Sequence, residues 1–262
     1  MGKPVKSQDV EPKLRPFLQN IRQRTNNIIK TFSDSLFPEG LVCLDCGKEL
    51  KNAERRHSLC TSCAHKLPYR EGKTCEDCAV YIEDGRLCRS CMVAKPYFDK
   101  LLAPFDYDGV ISKIIIGYKD NGNTFYYQYI AKHLLDYFMA SGERADFIAY
   151  VPSDKKAIRR RGFEHNKNVA EIFAASYYAE LIFPLERVRS AQDQTLSDKA
   201  KRAENVKNAF AFRRGFKKDV LKGKTVLLID DVVTTGATAN ECARVLKGGG
   251  ADCVIMLALA RR

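Results

Sequence analysis

No apolar run in the chain approaches the roughly 18 residues that a membrane-spanning helix requires, so no transmembrane segment is expected. The opening residues, MGKPVKSQDVEPKLRP, also lack the apolar core of a secretory signal. Together these absences point to a cytoplasmic, reducing setting. Acidic residues are in the minority, 32 against 44 Lys and Arg, giving a formal charge of +12. Such an excess favours nucleic acid, nucleotides or anionic surfaces as partners. It is uneven, because residues 141–225 hold 19 basic and 11 acidic side chains and so carry most of the surplus. The 262 residues, 45% of them hydrophobic, suffice for one sizeable domain and a small one.

Large apolar side chains are scarce between residues 41 and 95, where eight of the ten cysteines lie. Cys43-x2-Cys46 is followed after 13 residues by Cys60-x2-Cys63, and Cys75-x2-Cys78 after 9 residues by Cys88-x2-Cys91. A Cys-x2-Cys turn sets two sulfurs on one side of the backbone, and two such turns close a tetrahedral four-sulfur shell. Two structural zinc ions are therefore expected, in a segment with too little core to fold without metal. Two pairings satisfy the spacing, one sequential and one interleaving the first knuckle with the third. A reducing compartment argues against disulfides, and the knuckles are not clustered as iron–sulfur ligands usually are. Two zinc–thiolate sites would lower the net charge to about +8. His57 and His65 read as surface residues beside shells already filled, and Cys242 and Cys253 as small buried hydrophobes.

The most informative stretch is Val226 to Thr238, VLLIDDVVTTGAT. Val226 to Ile229 reads as a buried parallel strand, with Asp230 and Asp231 at its carboxyl end. Thr234, Thr235, Gly236, Ala237 and Thr238 form a turn that opens a helix. Strand ends of this kind line ligand crevices in α/β sheets, and helix N-termini attract phosphate. Carboxylates beside a phosphate cradle suit a ribose diol or Mg²⁺. The ligand inferred is a ribose 5-phosphate with a metal nearby. No Gly-Lys-Ser/Thr follows, so this is not a Walker loop. At every motif position it resembles the 5-phosphoribosyl-1-pyrophosphate (PRPP) loop of type I phosphoribosyltransferases.

Elsewhere, Leu14, Leu18, Ile21, Ile28 and Phe32 recur at helical spacing until Pro38 and Gly40. This helix packs on its own protein or a twin subunit, or alternatively lies on a membrane surface. Residues 103–107 read as a strand, 110–118 as a helix, 119–123 as a loop, 125–139 as a helix and 147–151 as a strand. Lys155 to Gly162 is a strongly basic turn. It either faces the acid pair as the pyrophosphate side of the site, with Arg161 and Gly162, or is a solvated loop. A helix over 170–183 and a strand over 185–189 follow. Residues 192–205 form a polar excursion, expected to be a flap, before a strand over 209–212. Residues 254–260 form the last strand.

In this order, the knuckle pairs, Arg161-Gly162-Phe163, Arg202-x2-Asn205-x4-Phe210 and the 226–238 loop resemble the ComF (competence protein F) family. So do FDYDGV at 105–110, Val151-Pro152 and the closing LALARR. The likeness covers about residues 36–262. Where the family usually shows Asn-Gln after Gly-Phe, this chain has Glu164-His165-Asn166. The resemblance implies an N-terminal extension with an amphipathic helix (1–40), a double zinc ribbon (41–95) and a type I phosphoribosyltransferase-like α/β domain (96–262). That last domain would be a parallel sheet flanked by helices. The resemblance further implies that Asp230 and Asp231 hold the ribose diol and Thr234 to Thr238 the 5′-phosphate. Arg161 and Gly162 would lie on the pyrophosphate side, and Gln194, Arg202 and Asn205 on the flap. Two functions follow as expectations. One is a phosphoribosyltransferase acting on PRPP with Mg²⁺, linked to DNA uptake in natural transformation. The other is a non-catalytic sensor of PRPP or nucleotide that handles single-stranded DNA and meets other DNA-uptake proteins.

Overall fold

The computed structural model describes residues 41–55, 57–121, 124–189 and 206–262. The expected N-terminal helix and flap, the latter with Gln194, Arg202 and Asn205, lie outside the described residues. Residues 41–99 form the cysteine-rich region, with short helices α1 (Asn52–Arg55), α2 (Thr61–Ala64) and α3 (Arg89–Val93). The remainder is an α/β domain. Its strands are β1 (Lys100–Leu102), β2 (Phe105–Asp106), β3 (Phe147–Tyr150), β4 (Glu180–Leu181), β5 (Leu185–Arg187), β6 (Phe210–Phe212), β7 (Thr225–Val233) and β8 (Cys253–Arg261). Its helices are α4 (Gly109–Asn121), α5 (Thr124–Ala140), α6 (Lys155–Arg161), α7 (His165–Tyr177) and α8 (Ala237–Gly248).

The main sheet runs β1-β8-β7-β3-β4, with β2 also on β8, and every pairing in it is parallel. Helices cover both faces, so β7 and β8 read as almost unbroken apolar runs. Along β7, Leu227 and Ile229 belong to one core layer, with Ile114, Leu134 and Phe173 of α4, α5 and α7. Val226 and Leu228 belong to the other, with Cys242, Ala243 and Leu246 of α8. This is the two-residue alternation of a strand buried on both faces. β5 and β6 pair antiparallel in a sheet of their own. Among the described residues no helix is long and apolar enough to cross a membrane.

Several elements differ from the sequence reading. The expected loop at Lys119 is helical, since α4 continues to Asn121. The basic turn is a helix, α6, capped by Asp154, whose carboxylate accepts from the Lys156 N–H at 2.8 Å. Arg159, Arg160 and Arg161 fall in its last turn, where cations suit the helix dipole. The helix expected over 170–183 is shifted to His165–Tyr177 and ends at Tyr178 with φ 58°. β7 extends through the acid pair to Val233. Cys242 is fully buried as expected, whereas Cys253 is only partly so.

Candidate functional site

The cysteines settle into two groups, Cys43, Cys46, Cys60 and Cys63, and Cys75, Cys78, Cys88 and Cys91. The sequential pairing is therefore the one adopted. Within each group the four sulfurs lie within 4.8 Å of one another. The Cys46–Cys60 and Cys78–Cys88 sulfurs are 3.8 and 3.7 Å apart. That is far from a disulfide bond, and it matches the edge of about 3.8 Å expected of a tetrahedron with zinc–sulfur bonds near 2.3 Å. Burial raises the Cys43 and Cys75 thiols. Backbone N–H donors outweigh it and bring both down to about 7, whereas burial raises Cys63 and Cys91, so each group sets an easily ionised thiol beside one that holds its proton until a cation arrives. Both groups thus fit a structural zinc. His57 and His65 are exposed and outside both groups.

At the carboxyl edge of the sheet, Asp230 and Asp231 sit side by side within β7. Three residues hold them. Asn166, in the first turn of α7, donates through Nδ2 to Asp230 Oδ1 at 2.8 Å and to the Val151 carbonyl at 3.0 Å. His165 Nε2 and Lys119 Nζ meet Asp231 Oδ2 at 2.8 and 2.7 Å. The Arg161 guanidinium approaches His165 Nδ1 at 3.3 Å, with the Ser153 hydroxyl at 3.1 Å. Arginine can only donate, so Nδ1 is the acceptor and the ring proton sits on Nε2, the nitrogen 2.8 Å from Asp231 Oδ2. The Tyr118 hydroxyl donates to the His165 carbonyl, tying the end of α4 to the start of α7.

The two carboxyls differ sharply. Burial and the adjacent Asp231 charge push Asp230 up to about 7. Burial would also raise Asp231, but the His165 hydrogen bond and the Lys119 charge bring it down to about 2. One acid is thus a standing anion, and the other changes charge near neutral pH.

Beyond Val233 the chain turns at Gly236, with φ 80°, a conformation that glycine adopts freely. α8 begins at the next residue, and Thr235 Oγ1 accepts the Ala237 N–H at 3.3 Å. Thr234 is exposed, and Thr235, Ala237 and Thr238 are partly so. The structure thus gathers Asp230, Asp231, Arg161 and the 234–238 turn at the same edge of the sheet. Gly162 is drawn in as the cap of α6, its N–H on the Ile158 carbonyl at 2.7 Å. Sequence reasoning missed Lys119, His165 and Asn166 as partners of the acids. The only signal for the latter two was their departure from the family pattern. A surface cavity of about 650 Å³, lined by Met139, Arg144, Tyr177 and Tyr178 among others, opens at the opposite, amino-terminal edge.

Strand, acid pair and glycine-turned helix on a parallel sheet define a phosphoribosyltransferase-type domain. The phosphoribosyl transferase domain model matches residues 157–262, and the double zinc ribbon domain model matches residues 32–92. The chain carries both domain types expected of the competence protein F (ComF) family, in that order, and has homologues of that name over most of its length. It is 26% identical over 234 residues to "Competence protein F" of Haemophilus influenzae, covering 84% of this chain and 96% of that one. It is also 26% identical over 213 residues to "DNA utilization protein YhgH" of Salmonella typhimurium, covering 78% and 90%. The solved adenine phosphoribosyltransferase of Thermoanaerobacter pseudethanolicus superimposes with a TM-score of 0.35 at 16% identity, over 54% of this chain and 83% of that one.

Proposed function

We propose that this competence-related protein binds PRPP, or another 5-phosphorylated ribose, with Mg²⁺ at residues 230–238. We further propose that it acts there as a phosphoribosyltransferase linked to DNA uptake. The reading rests on one observation above all. The Asp230–Asp231 pair is held by Asn166, His165 and Lys119 immediately before a glycine turn at a helix N-terminus. The carboxylates accept the ribose diol, and the turn from Thr234 to Thr238 takes the 5′-phosphate. Arg161 and the exposed Arg159 and Arg160 supply positive charge on the pyrophosphate side. Oxygen donors at Asp230 and Asp231 suit Mg²⁺, which when bound would neutralise pyrophosphate charge. An acceptor nucleophile then displaces pyrophosphate from the ribose C1.

Calorimetry with PRPP and Mg²⁺ tests the reading. Asp230→Asn with Asp231→Asn should abolish binding while the fold survives, and unchanged affinity would refute the assignment. The pH profile supplies a second readout. Asp230 is protonated below about 7 and then accepts poorly, so affinity should fall as pH drops through that value. The fall should approach about tenfold per pH unit below it. Asp230→Asn should remove that dependence.

A second reading, a sensor that handles single-stranded DNA, draws on the exposed Tyr69, Tyr81 and Tyr97 and on the names of the relatives. Such rings could stack on bases beside a basic surface. Salt-dependent binding of a short single strand would support it. A flat salt response would leave the ribbons as a protein-docking module.

A further inference from the structure

Arg261, the last residue of β8, lies where the second cysteine group meets the phosphate turn. Its side chain donates through one guanidinium nitrogen to the Val233 and Thr234 carbonyls, at 3.4 and 2.5 Å. Those are the last residue of β7 and the first residue of the turn. The residue is only 6% exposed, and the Cys78 side chain of the second group lies beside its guanidinium. Among the described residues its Nε is buried without a hydrogen-bond partner. Four thiolates around one divalent zinc keep a net charge of about −2, so a loaded cluster is the anion that this buried cation lacks. A second tie leaves the same ribbon. The Tyr97 N–H donates to Asn240 Oδ1 in α8 at 2.6 Å, and the Phe98 ring lies 3.9 Å from where a Cβ on Gly236 would stand. The first group has a different footing. Asp45 pairs with Lys113 of α4, and Leu50 and Leu59 join the helical core layer.

We propose that Arg261 is a positioning residue through which zinc at Cys75, Cys78, Cys88 and Cys91 sets the geometry of the phosphate turn. Zinc at the other group does not share this role. The consequence for ligand rests on the assignment of that turn to phosphate made above. The coupling itself does not, and linkage makes it reciprocal, so ligand on the turn must tighten zinc in the second group.

The test uses the full chain, with zinc content measured for every variant. Arg261→Met, still holding two zinc ions, should speed amide hydrogen exchange over residues 233–239 about tenfold without ligand, while β3 is unchanged. Arg261→Lys should recover part of the protection. Cys88→Ser should reproduce the acceleration, and Cys46→Ser, which loses zinc from the first group, should not. Ribose 5-phosphate affinity should fall about tenfold in Arg261→Met and Cys88→Ser, and saturating ribose 5-phosphate should slow chelator removal of one zinc of the two. If Cys88→Ser fails to fold, Arg261→Met carries the test alone. An Arg261→Met protein with both zincs and unchanged exchange over 233–239 overturns the proposal. Wild-type protein that does not bind ribose 5-phosphate, alongside an Arg261→Met variant that still shows the faster exchange, would remove the phosphate assignment and sustain the coupling.

Discussion

The two cysteine groups are built on one plan and hold different parts of the protein. In each, the first knuckle lies in a turn closed by an antiparallel bridge, Val42 to Glu49 in one and Thr74 to Tyr81 in the other. The second knuckle opens a short helix, with Cys60 preceding α2 and Cys88 preceding α3. Even the backbone bonds repeat. Cys43 N–H reaches Lys48 O and Cys75 N–H reaches Val80 O, both at 2.8 Å. Both turns demand a left-handed residue after the second cysteine, supplied by Gly47 at φ 72° and by Ala79 at φ 54°. That difference follows from what each ribbon touches. A Cβ on Gly47 would meet nothing within 4 Å. The Ala79 methyl is buried in the second core layer, and the Ala79 carbonyl accepts from the Arg70 guanidinium at 2.7 Å. An alanine is tolerated in a conformation costing about 1 kcal/mol because burying its methyl returns a similar amount. The first ribbon stands on helices, and the second is wedged against the edge of the sheet that carries the acid pair.

Metal loss would separate the two most. A structural zinc contributes on the order of 10 kcal/mol to folding its shell. Metal analysis should give two zinc ions per chain. Cys43→Ser should unfold the first ribbon and Cys88→Ser the second, each leaving the α/β domain folded, as judged by hydrogen exchange. Intact ribbon protection in excess chelator would break the comparison at its root. The next effect lies at the docking contacts. The Arg70 side chain is 6% exposed, pairs with Asp106, and covers the Tyr81 ring at 4.2 Å. Arg70→Met should loosen the second ribbon by about 3 kcal/mol. Lys113 is 66% exposed although its partner Asp45 is only 8% exposed, so Lys113→Met should cost the first ribbon about 1 kcal/mol, less than Arg70→Met costs the second. Denaturant midpoints of the two ribbons, read separately, would show that ordering or reverse it. The smallest effect tests the turns. Gly47→Ala should cost about 1 kcal/mol from the backbone alone, and Ala79→Gly should come out near zero as strain relief and lost methyl burial offset. Equal costs at the two positions would show that the ribbons differ less than their surroundings.

Much of this was legible in the sequence because the signals are local. Cys-x2-Cys knuckles, an apolar run ending in Asp-Asp and a Thr/Gly turn each occupy a few consecutive residues and have one dominant use. What escaped is set by contacts between distant segments. Lys119 reaches Asp231 only because α4 runs one turn further than the loop-forming Asp-Asn-Gly-Asn suggests. The limits of α7 were misplaced because it ends at Tyr178 in a left-handed conformation, where neither glycine nor proline marks the stop. His165 and Asn166 gain their meaning only when the start of α7 meets the end of β7. The choice between the two knuckle pairings was likewise a matter of three-dimensional closure.

The continuation of β7 through both aspartates carries a consequence for inheritance of change. Leu227 and Ile229 face one layer and Val226 and Leu228 the other, so both layers of the interior lie directly beneath the acid pair. A volume change in either layer, far from any ligand, shifts the strand end that carries both carboxylates. The two halves of the interior cannot drift independently. A substitution accepted under α8 must be compatible with one already made under α4 and α7, and the position of the two carboxylates is the quantity that selection would hold constant.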